Sequence, residues 1–484
     1  MILKACNYIL DEEQTHVVLS SAKHKLIIAG AGSGKTLTLI GYINYLISNN
    51  KCSMEEILCI SFTNETVNQL KHKLTSFHNI NITVLTFHKL AMKILEINNF
   101  FKIDNNYQKY IINELFESYA NESKYLRKLL ISTFYNIPTS NNLIYNSFKK
   151  KKDTYNDILH HYISLSKIGK IDLNVLLKKG VGLNNNFVRL MIAFQRIIDI
   201  DEESQGIVDL ESLIIKASES EFDLPYKYIF VDEYQDISEN RFQLLLTLLK
   251  QTNANLVVVG DDYQAIYGFS GSKLQLFYDF SKYFPKSKTL LITNTYRNCQ
   301  ELINIAARFI SKNKVQIPKK MKSSKSLQKP ILIYFYKSKK SLINLIHSSN
   351  SKDILILGRN NFDLEQILGN KVNIDLNGYF ILNKKQLRFL TVHKAKGIEA
   401  DFVIIINLIH HEYGFPNLKK PKKIDSYFGL TKKEHLNEER RLFYVALTRT
   451  KTKCILFTPI KKPSNFVIEL FLYERKNINI EFEK

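Results

Sequence analysis

The stretch "KLIIAGAGSGKTLTLIGYINYLI", residues 25–47, sets the fold class of the chain. It passes from an apolar segment of strand character, through a loop punctuated by glycine, into a segment of helical period. The loop "AGAGSGKT", residues 29–36, follows the phosphate-loop pattern, with Ala29 standing where the strict form has glycine. Gly30, Gly32 and Gly34 alternate with Ala31 and Ser33. Glycine at these places lets successive backbone N–H groups turn toward phosphate oxygens. Lys35 is placed to reach the β- and γ-phosphates, and Thr36 to hold Mg²⁺ through its hydroxyl. The helix that begins near Gly34 and continues through Leu37 adds the positive end of its dipole. A purely structural glycine turn needs neither the strand before it nor the helix after it, and both are present.

A phosphate loop requires a second carboxylate for the metal and a group that orients water. "IFVDEYQDIS", residues 229–238, supplies both. A continuous apolar run, as in a strand buried on both faces, ends abruptly in Asp232 and Glu233. Open α/β sheets bind ligands just beyond the carboxyl ends of their strands. Two neighbouring carboxylates repel unless a cation or proton lies between them. Asp232 therefore joins Thr36 as a Mg²⁺ ligand, directly or through water, and Glu233 is the base that orients the attacking water.

The chain has 484 residues, enough for two or three domains at ~150 residues each. Hydrophobic residues make up 45%, so substantial cores can form. The formal charge of +22 favours a polyanionic partner, nucleic acid or an anionic surface. No apolar run approaches the ~20 residues of a membrane span. The start "MILKACNYILDEEQ" turns acidic too soon for a secretion signal. Cys6, Cys52, Cys59, Cys299 and Cys454 are scattered, odd in number and without metal-ligand spacing. That usage fits free thiols in a reducing cytoplasm.

Eight stretches in sequence order resemble the motifs of superfamily 1 DNA helicases of the UvrD/Rep/PcrA type. "LDEEQTHVV" (10–18) is similar to the Q motif, and the phosphate loop is followed by "ILCISFTNETVNQLKHKL" (57–74) and "TVLTFHKLAMKIL" (83–95). "VDEYQD" is similar to motif II, "VVVGDDYQAIYGFSGS" (257–272) to motif III and "LLITNTYRN" (290–298) to motif IV. "LRFLTVHKAKGIEADFVIII" (387–406) resembles motif V, and "EERRLFYVALTRTKTKCIL" (438–456) motif VI.

The resemblance implies an α/β fold of two RecA-like P-loop NTPase domains with a helical insertion in the first. It implies that ATP is hydrolysed with Mg²⁺ and that the chain moves on single-stranded or tailed duplex DNA, 3′ to 5′. Gln14 would read adenine, Tyr296 would stack on it and Glu399 would take a ribose hydroxyl. Gln264 would sense the γ-phosphate, and Arg297 and Arg449 would be arginine fingers. Such an arginine is worth ~10³-fold or more, because transition-state charge spreads over the equatorial oxygens. Phe62, His88, Tyr267, Phe269 and His393 are the candidate stacking platforms, with Thr63, Asn64 and Thr391 on phosphates. Residues 302–352 hold twelve Lys or Arg and no acid, among them Lys319, Lys320, Lys322 and Lys325. With "KKKK" (149–152) and "KKPKK" (419–423), they are expected to form a DNA-backbone face.

Residues 1–95 and 205–288 are assigned to the first domain, 96–204 to the helical insertion and 289–484 to the second domain. Residues 362–387 stand where the family carries a large second insertion, which is nearly absent here. Ser270 occupies a position usually held by Arg, Phe269 one where Trp is frequent, and Leu37 one where some members place Arg. Two functions are compatible with these features. One is a DNA helicase or translocase acting in repair, replication or defence. The other is a DNA-sensing ATPase subunit that regulates a partner nuclease, as in Gabija-like defence; a repair protein is a further partner class.

Overall fold

The computed structural model describes residues 3–483, except 6, 79, 97–101, 105, 123–151, 170–171, 180–184, 350, 352, 370–372, 383–384 and 420–430. The chain is mixed α/β, built on two large, mainly parallel sheets. Most of "KKKK" and "KKPKK", together with Cys6, lies outside the described residues.

The first sheet contains β1 (His24–Ala29), β2 (Ile57–Ser61), β3 (Thr83–Thr86), β4 (Tyr228–Val231), β5 (Asn255–Gly260) and β6 (Lys288–Ile292). Its spatial order is β6-β1-β5-β4-β2-β3, parallel throughout. Helices cover both faces, so alternate residues enter different cores. In β4, Ile229 and Val231 face one core and Phe230 the other. In β5, Leu256 and Val258 face the first, and Val257 and Val259 the second. Two buried faces explain why these strands read as unbroken apolar runs.

Strand order fixes the site. β1 lies between β6 and β5, and β4 lies next to β5, so the chain leaves the sheet at neighbouring points after Ala29, Val231, Gly260 and Ile292. The phosphate loop, Asp232 and Glu233, Gln264 and the segment Thr293–Arg297 all follow from those exits.

The second sheet contains β7 (Ile331–Tyr336), β8 (Ile354–Gly358), β9 (Tyr379–Leu382), β10 (Lys385–Thr391), β11 (Ala400–Ile405), β12 (Thr450–Pro459) and β13 (Asn479–Phe482). Its order is β9-β10-β8-β11-β12-β7-β13, antiparallel only between β9 and β10. The described residues of 362–387 include the helix Asp363–Leu368, all of β9 and the first residues of β10.

One boundary differs from the sequence reading. The chain was divided at 289, but β6 hydrogen-bonds along β1 over its whole length and belongs to the first sheet. Its outer position leaves Lys288, Thr289 and Leu291 exposed, so it lacks the apolar signature of an inner strand. The helix Gln300–Ile310 packs Leu302, Ile305 and Phe309 into the core of the second sheet, so the crossing falls after Ile292.

Between β3 and β4 the described elements are mainly helices: Tyr107–Glu122, Lys152–Lys167, Leu173–Lys179, Asn185–Gln205 and Leu210–Glu219. The buried Lys167 amine binds Glu202 and Asp209, joining two of these helices to the Asp209 cap of a third.

Candidate active site

Ala29 is the last residue of β1 and fully buried. Its backbone is extended, so the position does not need glycine, which is why the relaxed pattern is tolerated. Gly32 and Gly34 do need it, with φ of 72° and 79°. A Cβ on Gly32 would lie 2.5 Å from the Arg297 Cβ and 2.8 Å from the Thr295 hydroxyl. The second requirement is therefore close approach: the strap Thr293–Arg297 crosses directly over the loop. Thr295 donates its hydroxyl to the Ala31 carbonyl at 2.8 Å, and the Tyr296 N–H donates to the Gly32 carbonyl at 2.9 Å.

The helix Glu12–Leu19 holds the other end of this strap. Its capping box pairs Asp11 with Gln14, and Glu13 accepts from the Thr293 and Asn294 N–H groups. The Gln14 amide donates to the Ser33 carbonyl at 3.1 Å, while its oxygen accepts from the Asp11 N–H. Both ends of Gln14 are thus used in bracing the loop. Tyr296, 51% exposed, directs its hydroxyl to Asp11 and presents its ring at the rim. Leu37 packs against the first domain's core.

Asp232 and Glu233 sit at the carboxyl end of β4. Glu233 adopts φ 54° and donates its N–H to the Asp232 carboxylate at 2.9 Å. Burial, reinforced by the Glu233 charge, pushes Asp232 up to about 7. Burial also opposes ionisation of Glu233, but Lys35 and Lys396 outweigh it and hold Glu233 well below the usual carboxylate range. Lys35 Nζ lies 3.7 Å from Glu233. Thr36 and Asp232 offer hard oxygen donors of the kind Mg²⁺ takes alongside substrate phosphates.

Gln264 follows β5 and donates to Asp261 at 2.6 Å. Its side-chain oxygen accepts at 3.1 Å from Arg449, which stands just before β12 of the second sheet. Arg449 is buried, with its Nε on the Val445 carbonyl. Burial, aided by Arg297, lowers it to about 9, so it stays charged at neutral pH. Arg297 binds Glu399 at 2.6 Å and the Thr448 carbonyl at 3.3 Å. Lys35, Asp232, Glu233, Gln264, Arg297 and Arg449 thus lie about one cleft, five from segments that leave the first sheet and Arg449 from just before β12.

Candidate strand-binding residues form two groups. Tyr267, Phe269 and His393 make one cluster, with ring centroids 6.1, 6.4 and 5.3 Å apart. Tyr267 donates its hydroxyl to the His393 carbonyl at 3.1 Å, and Phe269 is 57% exposed. Ser270 turns its hydroxyl back to the Tyr267 carbonyl. Thr391, at the end of β10, is buried. The second group lies at the paired ends of β2 and β3. There Phe62 packs on Phe87 at 5.6 Å, Thr63 caps the following helix and Asn64 is exposed. His88 is turned inward: its Nε2 is buried without a partner, and burial lowers its pKa to about 4.

The expected basic face of residues 302–352 does not form as one surface. Lys319 is buried against Asp261 and Asp262, Arg308 pairs with Glu474 and Lys312 with Glu469. Acids distant in sequence supply what the local stretch lacks. Lys320, Lys322 and Lys325 are exposed, but they flank the phosphate-loop strap: Lys322 bridges to Asn294, and Met321 packs on Gly30. Lys396, beside Glu233, lies outside the residues that the sequence reading names. Lys396 stands inside "HKAKGIEAD", whose aromatic and acidic members drew the assignment.

Comparison with known proteins agrees with this geometry. Residues 10–285, more than half the chain, match the UvrD/REP helicase N-terminal domain. DNA helicase IV of Escherichia coli (strain K12) is 27% identical over 484 residues, covering 95% of this chain and 69% of that protein. ATP-dependent DNA helicase Rep of Buchnera aphidicola subsp. Schizaphis graminum is 25% identical, covering 91% and 67%. A probable DNA helicase II homolog of Mycoplasma capricolum is 28% identical, covering 75% and 51%. The chain spans about half to two-thirds of the length of these relatives. On the extent of the domain match and the order of its motifs, the chain belongs to the UvrD/REP helicase family.

Proposed function

We propose that the chain is an ATP-dependent DNA helicase or translocase of superfamily 1, working on single-stranded DNA in the 3′ to 5′ direction. The observation that carries this reading is the Arg449–Gln264 hydrogen bond, which joins a finger of one domain to a sensor of the other beside the phosphate loop. Two RecA-like domains would close on ATP, with the described helices between β3 and β4 forming an insertion in the first.

Lys35 and the loop N–H groups bind the phosphates, and Glu233 orients water for in-line attack on the γ-phosphate. Arg297 and Arg449 stabilise the charge spread over the transferred group. Mg²⁺ held by Thr36 and Asp232 would neutralise phosphate charge. Tyr296 stacks on adenine, and Gln14 reads its edge by exchanging the Ser33 carbonyl for the base. Glu399 takes a ribose hydroxyl at the rim. Tyr267, Phe269 and His393 supply faces for unpaired bases, with Thr63, Asn64 and Thr391 on the backbone.

The experiment is ATP hydrolysis with and without single-stranded DNA, alongside strand displacement on 3′- and 5′-tailed duplexes. Strong stimulation and a preference for the 3′ tail support the reading. Equal turnover with and without DNA overturns it.

A further inference from the structure

Lys396 stands outside every residue assigned to nucleotide or strand, yet its amine lies deep in the cleft with its side chain 9% exposed. It is ion-paired to Asp236 and sits 3.5 Å from Glu233 Oε2. It donates to the Gln264 backbone carbonyl at 3.1 Å and lies 5.1 Å from the centre of the Tyr267 ring. One amine thus touches the water-orienting carboxylate, the backbone of the phosphate sensor and a ring of the aromatic cluster. Lys396 also shares a tight turn with His393, where Ala395 donates to Thr391 and Lys396 to His393.

We propose that Lys396 is a positioning residue that restrains Glu233 until a nucleic-acid strand enters the aromatic cluster. The proposal rests on the reading of the chain as a DNA-dependent ATPase. A carboxylate that orients water must present a free lone pair, and an ammonium 3.5 Å from its oxygen competes with the water for that lone pair. Lys35 also contacts Glu233, but bound phosphates draw it away. Lys396 has no such destination. Its stronger partner, Asp236, lies on the same first-domain segment as Glu233, so the amine leaves only when the His393 turn shifts. The rings of Tyr267, Phe269 and His393 are neighbours, and in this proposal a base enters by wedging between them. Parting them strains the hydrogen bond from Tyr267 to the His393 carbonyl and moves the turn that carries Lys396. Strand entry and release of the base become one motion.

The test compares ATP hydrolysis by the full chain, without DNA and at saturating oligothymidylate, for the native protein, Lys396→Met and Tyr267→Phe. Lys396→Met is expected to raise the DNA-free kcat about tenfold, a part of the ~10²-fold that a positioned base contributes, with KM for ATP unchanged. The ratio of stimulated to basal rate falls accordingly. Tyr267→Phe keeps the ring but removes the tether on His393, and is expected to raise the DNA-free rate about threefold, as loss of one hydrogen bond allows. A residue needed only for packing would lower both rates and could not raise the basal one. If Lys396→Met does not fold, the Tyr267→Phe result decides. A native chain that is stimulated, with no basal rise in the folded variants, overturns the restraint alone. A native chain that DNA does not stimulate overturns the proposed function and the restraint with it.

Discussion

Arg449, at the amino end of β12, donates to the side-chain oxygen of Gln264 at 3.1 Å, so a buried guanidinium and a buried amide fasten the two domains together. Gln264 in turn donates to Asp261, so the link continues into the first domain. Arg449→Ala is expected to lower kcat by ~10³-fold, the typical value of an arginine finger, while nucleotide affinity changes little. Gln264→Ala should lower kcat less, and the double variant should lose no more than Arg449→Ala alone. Single-turnover hydrolysis with a separate nucleotide-binding titration checks this, and additive losses would show two independent roles.

The phosphate loop and the carboxylate pair should separate binding from hydrolysis. Lys35→Ala is expected to weaken nucleotide binding and abolish turnover. Glu233→Gln keeps the size and hydrogen-bonding reach of the side chain but not its basicity. It should bind ATP normally and hydrolyse it at least ~10²-fold more slowly. Full turnover by Glu233→Gln would assign water activation to another group.

Gly32→Ala tests the close approach of strap and loop. The added Cβ meets the Arg297 Cβ at 2.5 Å on a backbone with φ 72°. Neither the backbone nor the strap can yield without moving the finger. We expect loss of ATP turnover together with weaker nucleotide binding, read by kinetics and a fluorescent-nucleotide titration. Native kinetics in this variant would mean that the strap stands further from the loop in solution.

Lys319 should matter for stability and not for strand affinity. Its amine is buried between Asp261 and Asp262, and removing it leaves two carboxylates facing each other. Lys319→Met is expected to cost about 3–5 kcal/mol, the usual result of breaking a buried ion pair. Denaturant unfolding measures the loss. The salt dependence of single-strand binding should keep its native slope, since Lys319 contacts no phosphate. A flattened slope would return Lys319 to the DNA-backbone face.

Acid should destabilise the fold through two histidines. Burial lowers both His88 and His393 from an unfolded value near 6.5 to about 4. The unfolded chain therefore takes up protons first as pH falls below 6.5, and stability is lost between 6.5 and 4. Allowing for partial exposure, each contributes about 1–2 kcal/mol of that loss by pH 5. Replacing either by Gln should flatten the pH dependence of the unfolding midpoint over this range.

That the candidate phosphate-loop and carboxylate residues lie together was legible because their signals are local. Strand, glycine loop and helix are contiguous from Lys25, and Asp232 and Glu233 end an apolar run. Such signals survive in one dimension because each belongs to a single βα turn. What the sequence hid was pairing at a distance. Lys319 and Asp261 are 58 positions apart, and Lys396 and Asp236 are 160 apart. A lysine's neighbours in the chain say little about which acid the fold brings to it. The acid-free stretch 302–352 misled for this reason, since Glu469 and Glu474 approach it from the C-terminal helix. The strand β6 was misassigned for another reason. At a sheet edge one face meets solvent, so its sequence carries half the apolar signal of an inner strand.

The ties from Thr295 and Tyr296 to the carbonyls of Ala31 and Gly32 also bear on what happens between catalytic cycles. The loop's carbonyls are satisfied from outside, so its shape does not depend on a bound phosphate. An emptied loop need not be rebuilt before the next nucleotide arrives. The same strap runs straight on into Arg297, so the rim of the loop and that candidate finger are a single length of chain. One length of chain, from Thr293 to Arg297, thus carries both the contacts to the loop and the contacts to Glu399 and Thr448.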